Sequence, residues 1–138
     1  LKKRNEGFPT NRKEDMLLTA KWLEVGSVDS TWSISRFSNF GDNVDVYAPG
    51  SAILSLTPQR NPRMANGTSM AAPMVSGVAA VLRSYFPQLK MREIKKIILN
   101  SARVVKSASS IRGSEGEIRI LSLYDAFLEA DQLTSKSQ

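Results

Sequence analysis

The sequence predicts an α/β fold, and three observations favour this class. Residues 69–85 form a long apolar segment of small side chains, as expected of a buried helix. Residues 90–102 show the spacing of a second, amphipathic helix. Short segments rich in β-branched and aromatic residues, such as 44–48, are typical of strands. The chain has 138 residues, which is about one domain and enough for a core of ordinary size.

The first half of the chain predicts short extended segments separated by turns. The extended or mixed segments are residues 17–25, 34–40, 44–48 and 53–56. Turn or loop residues separate them at Gly26, 29–31, Pro49-Gly50 and 58–66.

The second half predicts helices around one further strand. Apolar residues cover nearly the whole circumference of the helix at 69–85, so we expect it to be buried on all sides. Gly77 would cost this helix about 1 kcal/mol relative to alanine, which suggests close packing against a neighbouring element. The remaining predictions are a helix at 90–102, a loop at 107–117, a strand at 118–120 and a helix at 122–130. We expect residues 1–132 to form the domain part and 133–138 a polar, frayed tail.

Composition argues against several classes of function. The net charge of +6 is scattered along the chain, and the cluster at 92–96 lies beside isoleucines, as on the solvated face of a helix. We therefore expect no nucleic-acid partner. The chain contains neither cysteine nor histidine, which excludes a disulfide framework and the common zinc sites. No apolar run approaches the roughly 20 residues of a membrane span.

The segment Asn66-Gly67-Thr68-Ser69 places a serine between a glycine turn and the start of the apolar helix. Glycine permits a sharp bend that presents the Ser69 hydroxyl, as a nucleophile requires. The free N–H groups and the dipole at a helix start favour negative charge, including that of a tetrahedral oxyanion. Ser69 is therefore the candidate catalytic residue, although a serine at this place is also a common helix N-cap.

The string from Asn66 to Gly77 resembles the nucleophile motif of the subtilisin-like serine proteases, Gly-Thr-Ser-Met-Ala-x-Pro-His-Val-x-Gly. Met74 stands where that family usually has a histidine, which is not the catalytic one. The segments 38–41 and 44–50 resemble the region before the motif, and 113–116, Ile118 and Ala126 resemble the region after it, so the likeness covers roughly residues 8–130.

This resemblance implies a mostly parallel sheet flanked by helices, incomplete in this chain, and a serine endopeptidase that acts on peptides or proteins. Ser69 would be the nucleophile, and the family's catalytic histidine and aspartate would lie upstream of Leu1. Asp29 lacks the glycine that follows the family's catalytic aspartate by two residues. We therefore expect the chain to be the C-terminal part of a peptidase domain. It would be inactive alone and partnered by the missing N-terminal half, in the same parent chain or in another.

A different class of function stays open beside this one. A relative that has lost its catalytic residues could be a non-catalytic module that binds peptides or another protein. Asn66 is expected to shape the turn rather than to hold an oxyanion, and Thr68 to support it.

Several other residues are candidates through the resemblance alone. Asn5 could be the family's oxyanion asparagine, and the segment 8–11 could approach the substrate pocket or be a proline-stiffened loop. No cofactor is expected for the reaction. Structural calcium is possible, with candidate carboxylates that are equally typical of solvated turns: Glu6, Glu14, Asp15, Asp42 and Asp45. The family likeness favours a secreted or periplasmic location.

Overall fold

The computed structural model describes residues 22–41, 44–58, 60–106 and 117–136. These ranges contain six strands and three helices. The strands are β1 (Val25–Val28), β2 (Val46–Pro49), β3 (Ile53–Leu56), β4 (Pro62–Ala65), β5 (Arg103–Lys106) and β6 (Glu117–Ile120). The helices are α1 (Thr68–Tyr85), α2 (Met91–Asn100) and α3 (Leu123–Ser135).

Four of the strands form one sheet in the order β1-β2-β6-β5. β2 is parallel to both β1 and β6, whereas β5 pairs antiparallel with β6. β3 and β4 form a separate antiparallel hairpin. The predicted α/β class with a mostly parallel sheet is therefore confirmed, with β5 as the antiparallel exception.

Side chains of β2 alternate between the two faces of the sheet, as the two-residue period of a strand requires. Val46 and Ala48 pack with Ala71 and Val75 of α1. Tyr47 instead belongs to a cluster that contains Val28 and other residues on the opposite face. The largest cluster lies between the three helices and includes Val78, Leu82, Ile94, Ile97, Ile98, Ala126 and Ala130. α1 thus contacts the sheet near its start and the other helices near its end.

Two local predictions in the first half are wrong. β1 continues through Gly26, which we expected to end the extended segment. The ring of Tyr47 occupies the space beside it, because a Cβ on Gly26 would lie 2.3 Å from Tyr47 Cε1. The predicted loop at 58–66 contains β4, which pairs with β3 so that Leu54 lies opposite Met64.

The prediction that α1 is buried on all sides is also wrong for the described part of the chain. Its buried residues are Ala71, Val75, Val78 and Leu82, which form one stripe. Ser76, Gly77 and Ala80 are exposed, and a Cβ on Gly77 would meet no described atom within 4 Å. Burying such small side chains removes little apolar area from water, so their presence on this face does not require the face to be buried.

The last helix is longer than expected. α3 continues to Ser135, into the segment that we expected to be a frayed tail. The Thr134 hydroxyl donates to the carbonyl oxygens of Ala130 and Asp131, which satisfies acceptors in the last turn. Among the helices in the described ranges, none is both long and apolar enough to cross a membrane.

Candidate active site

Ser69 is the second residue of α1, and its side chain is exposed. The residue that caps the helix is Gly67, with φ 158° and ψ 157°, a conformation that residues with a side chain rarely adopt. Ser69 is therefore not the helix N-cap, and the alternative structural role considered from the sequence is wrong. Within the described residues, no side chain makes a hydrogen bond to the Ser69 hydroxyl.

The start of α1 presents backbone N–H groups next to this hydroxyl. The Met70 N–H donates to the Gly67 carbonyl at 3.0 Å. The N–H groups of Thr68 and Ser69 precede the helical hydrogen-bond pattern, and no described side chain caps them. An exposed hydroxyl and free amide donors thus lie together at the positive end of the helix dipole, where an oxyanion would be stabilised.

Backbone and amide hydrogen bonds hold the turn that precedes α1. The Gly67 N–H donates to the Gly50 carbonyl at 2.8 Å, and the Ala52 N–H donates to Asn66 Oδ1 at 2.7 Å. The Gly50 N–H donates in turn to the carbonyl of Val28 at 3.1 Å, which ties the arrangement to the end of β1. The predicted turn role of Asn66 is confirmed by its contact with Ala52.

Gly50 has a structural role in this turn that the sequence analysis missed, because the Pro49-Gly50 pair was interpreted as the end of a strand and as part of a segment that flanks the motif. A Cβ on Gly50 would lie 2.6 Å from the Gly67 carbonyl oxygen and 2.4 Å from Ser27 Oγ. Both distances are too short for any side chain. Gly50, which follows β2, therefore lets the sheet approach the turn closely. The Pro49-Gly50 pair was the feature of the sequence that could have indicated this close approach.

Asp29 forms a local turn and shows no catalytic arrangement among the described residues. Its Oδ1 accepts hydrogen bonds from the Thr31 hydroxyl at 2.7 Å, the Thr31 N–H at 2.9 Å and the Ser33 N–H at 3.1 Å. The bond from the Thr31 hydroxyl is the main cause that lowers the pKa of Asp29. This arrangement confirms the predicted turn at 29–31.

Met74 lies half-buried on α1 and packs against the cluster of Val46, Ala48, Ala71, Val75 and Ala102. Its place on the inner face of the helix shows that it fills apolar space, as a flexible thioether does readily. The one departure from the nucleophile motif is thus a packing residue.

The remaining candidates fall in two groups. Asn5, residues 8–11, Glu6, Glu14, Asp15 and Asp42 lie outside the described residues. Asp45 accepts a hydrogen bond from the Glu24 N–H at 2.7 Å and lies 3.9 Å from Lys95 Nζ. Where the structure describes the chain, no cluster of three carboxylate, cysteine or histidine residues could hold a metal ion. Calcium binding therefore stays a prediction.

Comparison with known proteins relates this chain to a protein family. The model of the Subtilase family matches residues 4–122. The chain is 39% identical over 95 residues to the major intracellular serine protease of Bacillus subtilis, an alignment that covers 67% of this chain and 30% of that protein. It is 38% identical over 107 residues to alkaline serine exoprotease A of Vibrio alginolyticus, covering 78% of this chain and 20% of the relative.

Solved structures show the same likeness. The patellamide maturation protease PatA superposes with a TM-score of 0.69 at 28% identity, covering 80% of this chain and 43% of that one. A cold-adapted subtilisin-like serine proteinase gives a TM-score of 0.65 at 33% identity, covering 78% and 39%. The chain thus spans less than half of the length of these proteins. Because the family match extends over most of the sequence, the chain belongs to the subtilase family.

Proposed function

We propose that this chain supplies the nucleophile of a serine endopeptidase, and that the nucleophile is Ser69. The observation that carries the proposal is the exposed Ser69 hydroxyl beside amide groups without a described side-chain partner at the start of α1, which follows the positive-φ Gly67. Membership of a protease family supports the reaction class.

The proposed reaction is peptide-bond hydrolysis through an acyl-enzyme. The Ser69 oxygen attacks the scissile carbonyl carbon while a histidine takes the hydroxyl proton. The carbonyl oxygen then carries the negative charge, which the Ser69 N–H at the helix start stabilises. The histidine returns the proton to the leaving amine, and water later hydrolyses the acyl-enzyme.

The base must come from outside these residues, because the chain contains no histidine. We propose that the catalytic histidine and aspartate belong to another part of the same parent protein or to a partner chain. On this proposal the chain alone is inactive. The hydrolysis requires no cofactor, and any calcium would serve the structure rather than the reaction.

The family and its relatives support a class of substrate and a location. A peptide or protein substrate is proposed from the family. The relatives include a cell wall-associated protease of Bacillus subtilis and an extracellular protease of Xanthomonas campestris, but also an intracellular protease. We propose the extracellular or periplasmic location, which the first two relatives support.

The test compares peptide hydrolysis by the full-length protein with that by two variants. Ser69→Ala should lower kcat by at least about a thousandfold, because it removes the nucleophile. The matched control is Ser76→Ala, an exposed serine two turns along the same helix, which should leave kcat unchanged.

The outcomes separate the two classes of function. Loss of hydrolysis in Ser69→Ala alone supports the protease. Hydrolysis that survives in Ser69→Ala contradicts it. A wild-type protein that binds peptides but cleaves none would favour the non-catalytic module instead.

A further inference from the structure

Three serine hydroxyls form a continuous hydrogen-bonded chain beside residues 66–69, which we call the nucleophile turn. Ser27 Oγ lies 2.8 Å from Ser35 Oγ, which lies 2.7 Å from Ser51 Oγ. Ser27 is on β1, Ser35 lies in the loop after it, and Ser51 follows Gly50. The chain of hydroxyls therefore joins three segments that are distant in sequence.

The burial of these serines is unusual for polar residues. Ser27 is 0% exposed and Ser35 is 2% exposed, whereas Ser51 is half-buried. A third buried serine, Ser38, accepts a hydrogen bond from the Ser27 N–H at 2.9 Å and donates to the Asn39 carbonyl at 2.8 Å. A buried hydroxyl without a partner is costly, so each of these side chains is restricted to the orientation that keeps its hydrogen bond.

The chain of hydroxyls touches the segment on which the nucleophile turn rests. A Cβ on Gly50 would lie 2.4 Å from Ser27 Oγ and 2.6 Å from the Gly67 carbonyl oxygen, so both atoms lie close to Gly50. Ser51 lies between the two residues that hold the turn, since Gly50 accepts from the Gly67 N–H and Ala52 donates to Asn66. A shift of Ser51 would therefore move both anchors of the turn together.

We propose that the hydroxyl chain of Ser27, Ser35 and Ser51 positions Ser69 for attack by fixing the segment 50–52 beneath the turn. These serines are positioning residues and do not contact the substrate. The inference rests on the proposed function of Ser69. It adds a set of residues that controls where the nucleophile lies.

Ser35 is the critical member for a chemical reason. A hydroxyl has one proton, so the central Ser35 can donate to one neighbour and accept from the other. Removing Ser35 breaks both contacts, whereas removing Ser51 breaks one. Misplacement of a nucleophile by about 1 Å can cost on the order of a hundredfold in rate, and a partial shift costs less.

The experiment measures kcat and KM for peptide hydrolysis by the full-length protein. We expect Ser35→Ala to lower kcat about tenfold and to change KM by less than about twofold, because the turn moves while distant substrate contacts stay. Ser51→Ala should lower kcat less, and it provides the test if Ser35→Ala does not fold. In Ser35→Ala the buried Ser27 hydroxyl loses its hydrogen-bond partner, whereas the double variant Ser27→Ala/Ser35→Ala removes both hydroxyls. The Tm of the double variant should therefore exceed that of Ser35→Ala, while kcat stays low.

The control is Ser122→Ala, which removes the N-cap of α3 away from the turn. It should lower Tm without lowering kcat. The proposal is overturned if the folded Ser35→Ala and Ser51→Ala proteins keep kcat within about threefold of wild type, or if Ser122→Ala loses as much kcat as Ser35→Ala. Ser69→Ala separates the proposed nucleophile role of Ser69 from the proposed positioning role of the hydroxyl chain. If it abolishes hydrolysis while Ser35→Ala does not lower kcat, only the positioning role fails; if it retains hydrolysis, both fail.

Discussion

The two ends of α1 are held in different ways. The turn that leads into its start is held by backbone hydrogen bonds, from the Gly67 N–H to Gly50 and from the Met70 N–H to Gly67. At its end, Leu82 is fully buried in the cluster between the helices. The Arg83 guanidinium also donates to the carbonyl oxygens of Pro87 and Leu89 beyond the helix.

This difference separates stability from chemistry along one helix. The far end contributes apolar burial, which stabilises the fold but contacts no candidate catalytic atom. The near end leaves amide groups and a hydroxyl without described partners, which contributes little to stability and, on the proposed function, is where the reaction takes place. Substitutions at the two ends should therefore change different measurements.

The largest effect on stability is expected at the buried end. Leu82→Ala should lower the free energy of unfolding of the full-length protein by about 2–5 kcal/mol, because it leaves a cavity in the cluster of helices. The kcat of the folded protein should stay close to wild type. Denaturant unfolding and kinetics on the same sample measure both. Leu128→Ala, a leucine exposed on α3, is the matched control and should cost much less.

The largest effect on activity is expected at the other end. Gly67→Val should lower kcat on the order of a hundredfold, because a β-branched residue strains the backbone at φ 158° and displaces Ser69. A steric clash is not the cause, since the atoms nearest to a Cβ on Gly67 would lie 3.6 Å away. Kinetics with circular dichroism as a check on folding would measure this effect.

Met74→His is the control for that variant, and it should keep activity within a few-fold because Met74 packs on the inner face of α1. Full activity in a folded Gly67→Val protein would show that backbone geometry at the start of α1 does not govern the chemistry. The comparison between the two ends of the helix would then be wrong.

The smallest effect is expected at an exposed ion pair outside both ends of α1. Arg103 Nε lies 2.7 Å from Asp125 Oδ2, and this hydrogen bond is the main cause that lowers the pKa of Asp125 below its ordinary value. A lowered carboxyl pKa stabilises the fold above the unfolded pKa, and this contribution is lost as pH falls through the folded pKa.

Asp125→Asn should therefore lower Tm slightly at pH 7, and the difference from wild type should vanish once acid protonates the wild-type carboxyl. Thermal melts across pH, with the exposed Asp131→Asn as control, would measure it. A difference that grows as pH falls would contradict this sign.

The helices and the turn chemistry were predictable because they depend on neighbours in sequence. A run of small apolar residues predicts α1, the 3.6-residue pattern predicts α2, and the Asp29 turn follows from side chains within four residues. The exposed face of α1 was not predictable from its residue types, because alanine, glycine and serine are common on both inner and outer faces.

What the sequence could not show depends on contacts between distant segments. β4 exists because it pairs with β3, although Pro62 has a low intrinsic preference for strands. Gly26 and Gly50 are explained only by Tyr47 and Gly67, which approach them in the fold. The hydroxyl chain joins serines from residues 27 to 51, so no local pattern indicates it.

The most direct test of the central claim is labelling by a serine-directed fluorophosphonate probe, with the labelled residue identified by mass spectrometry. The probe should modify Ser69 in the full-length protein, because the hydroxyl is exposed at the start of α1 and, on the proposed function, a histidine from elsewhere activates it. The 138-residue chain alone should be labelled little or not at all, since it contains no histidine. Strong labelling of the isolated chain that Ser69→Ala abolishes would contradict the claim that the base comes from outside it. A full-length protein labelled at another serine would contradict the assignment of Ser69.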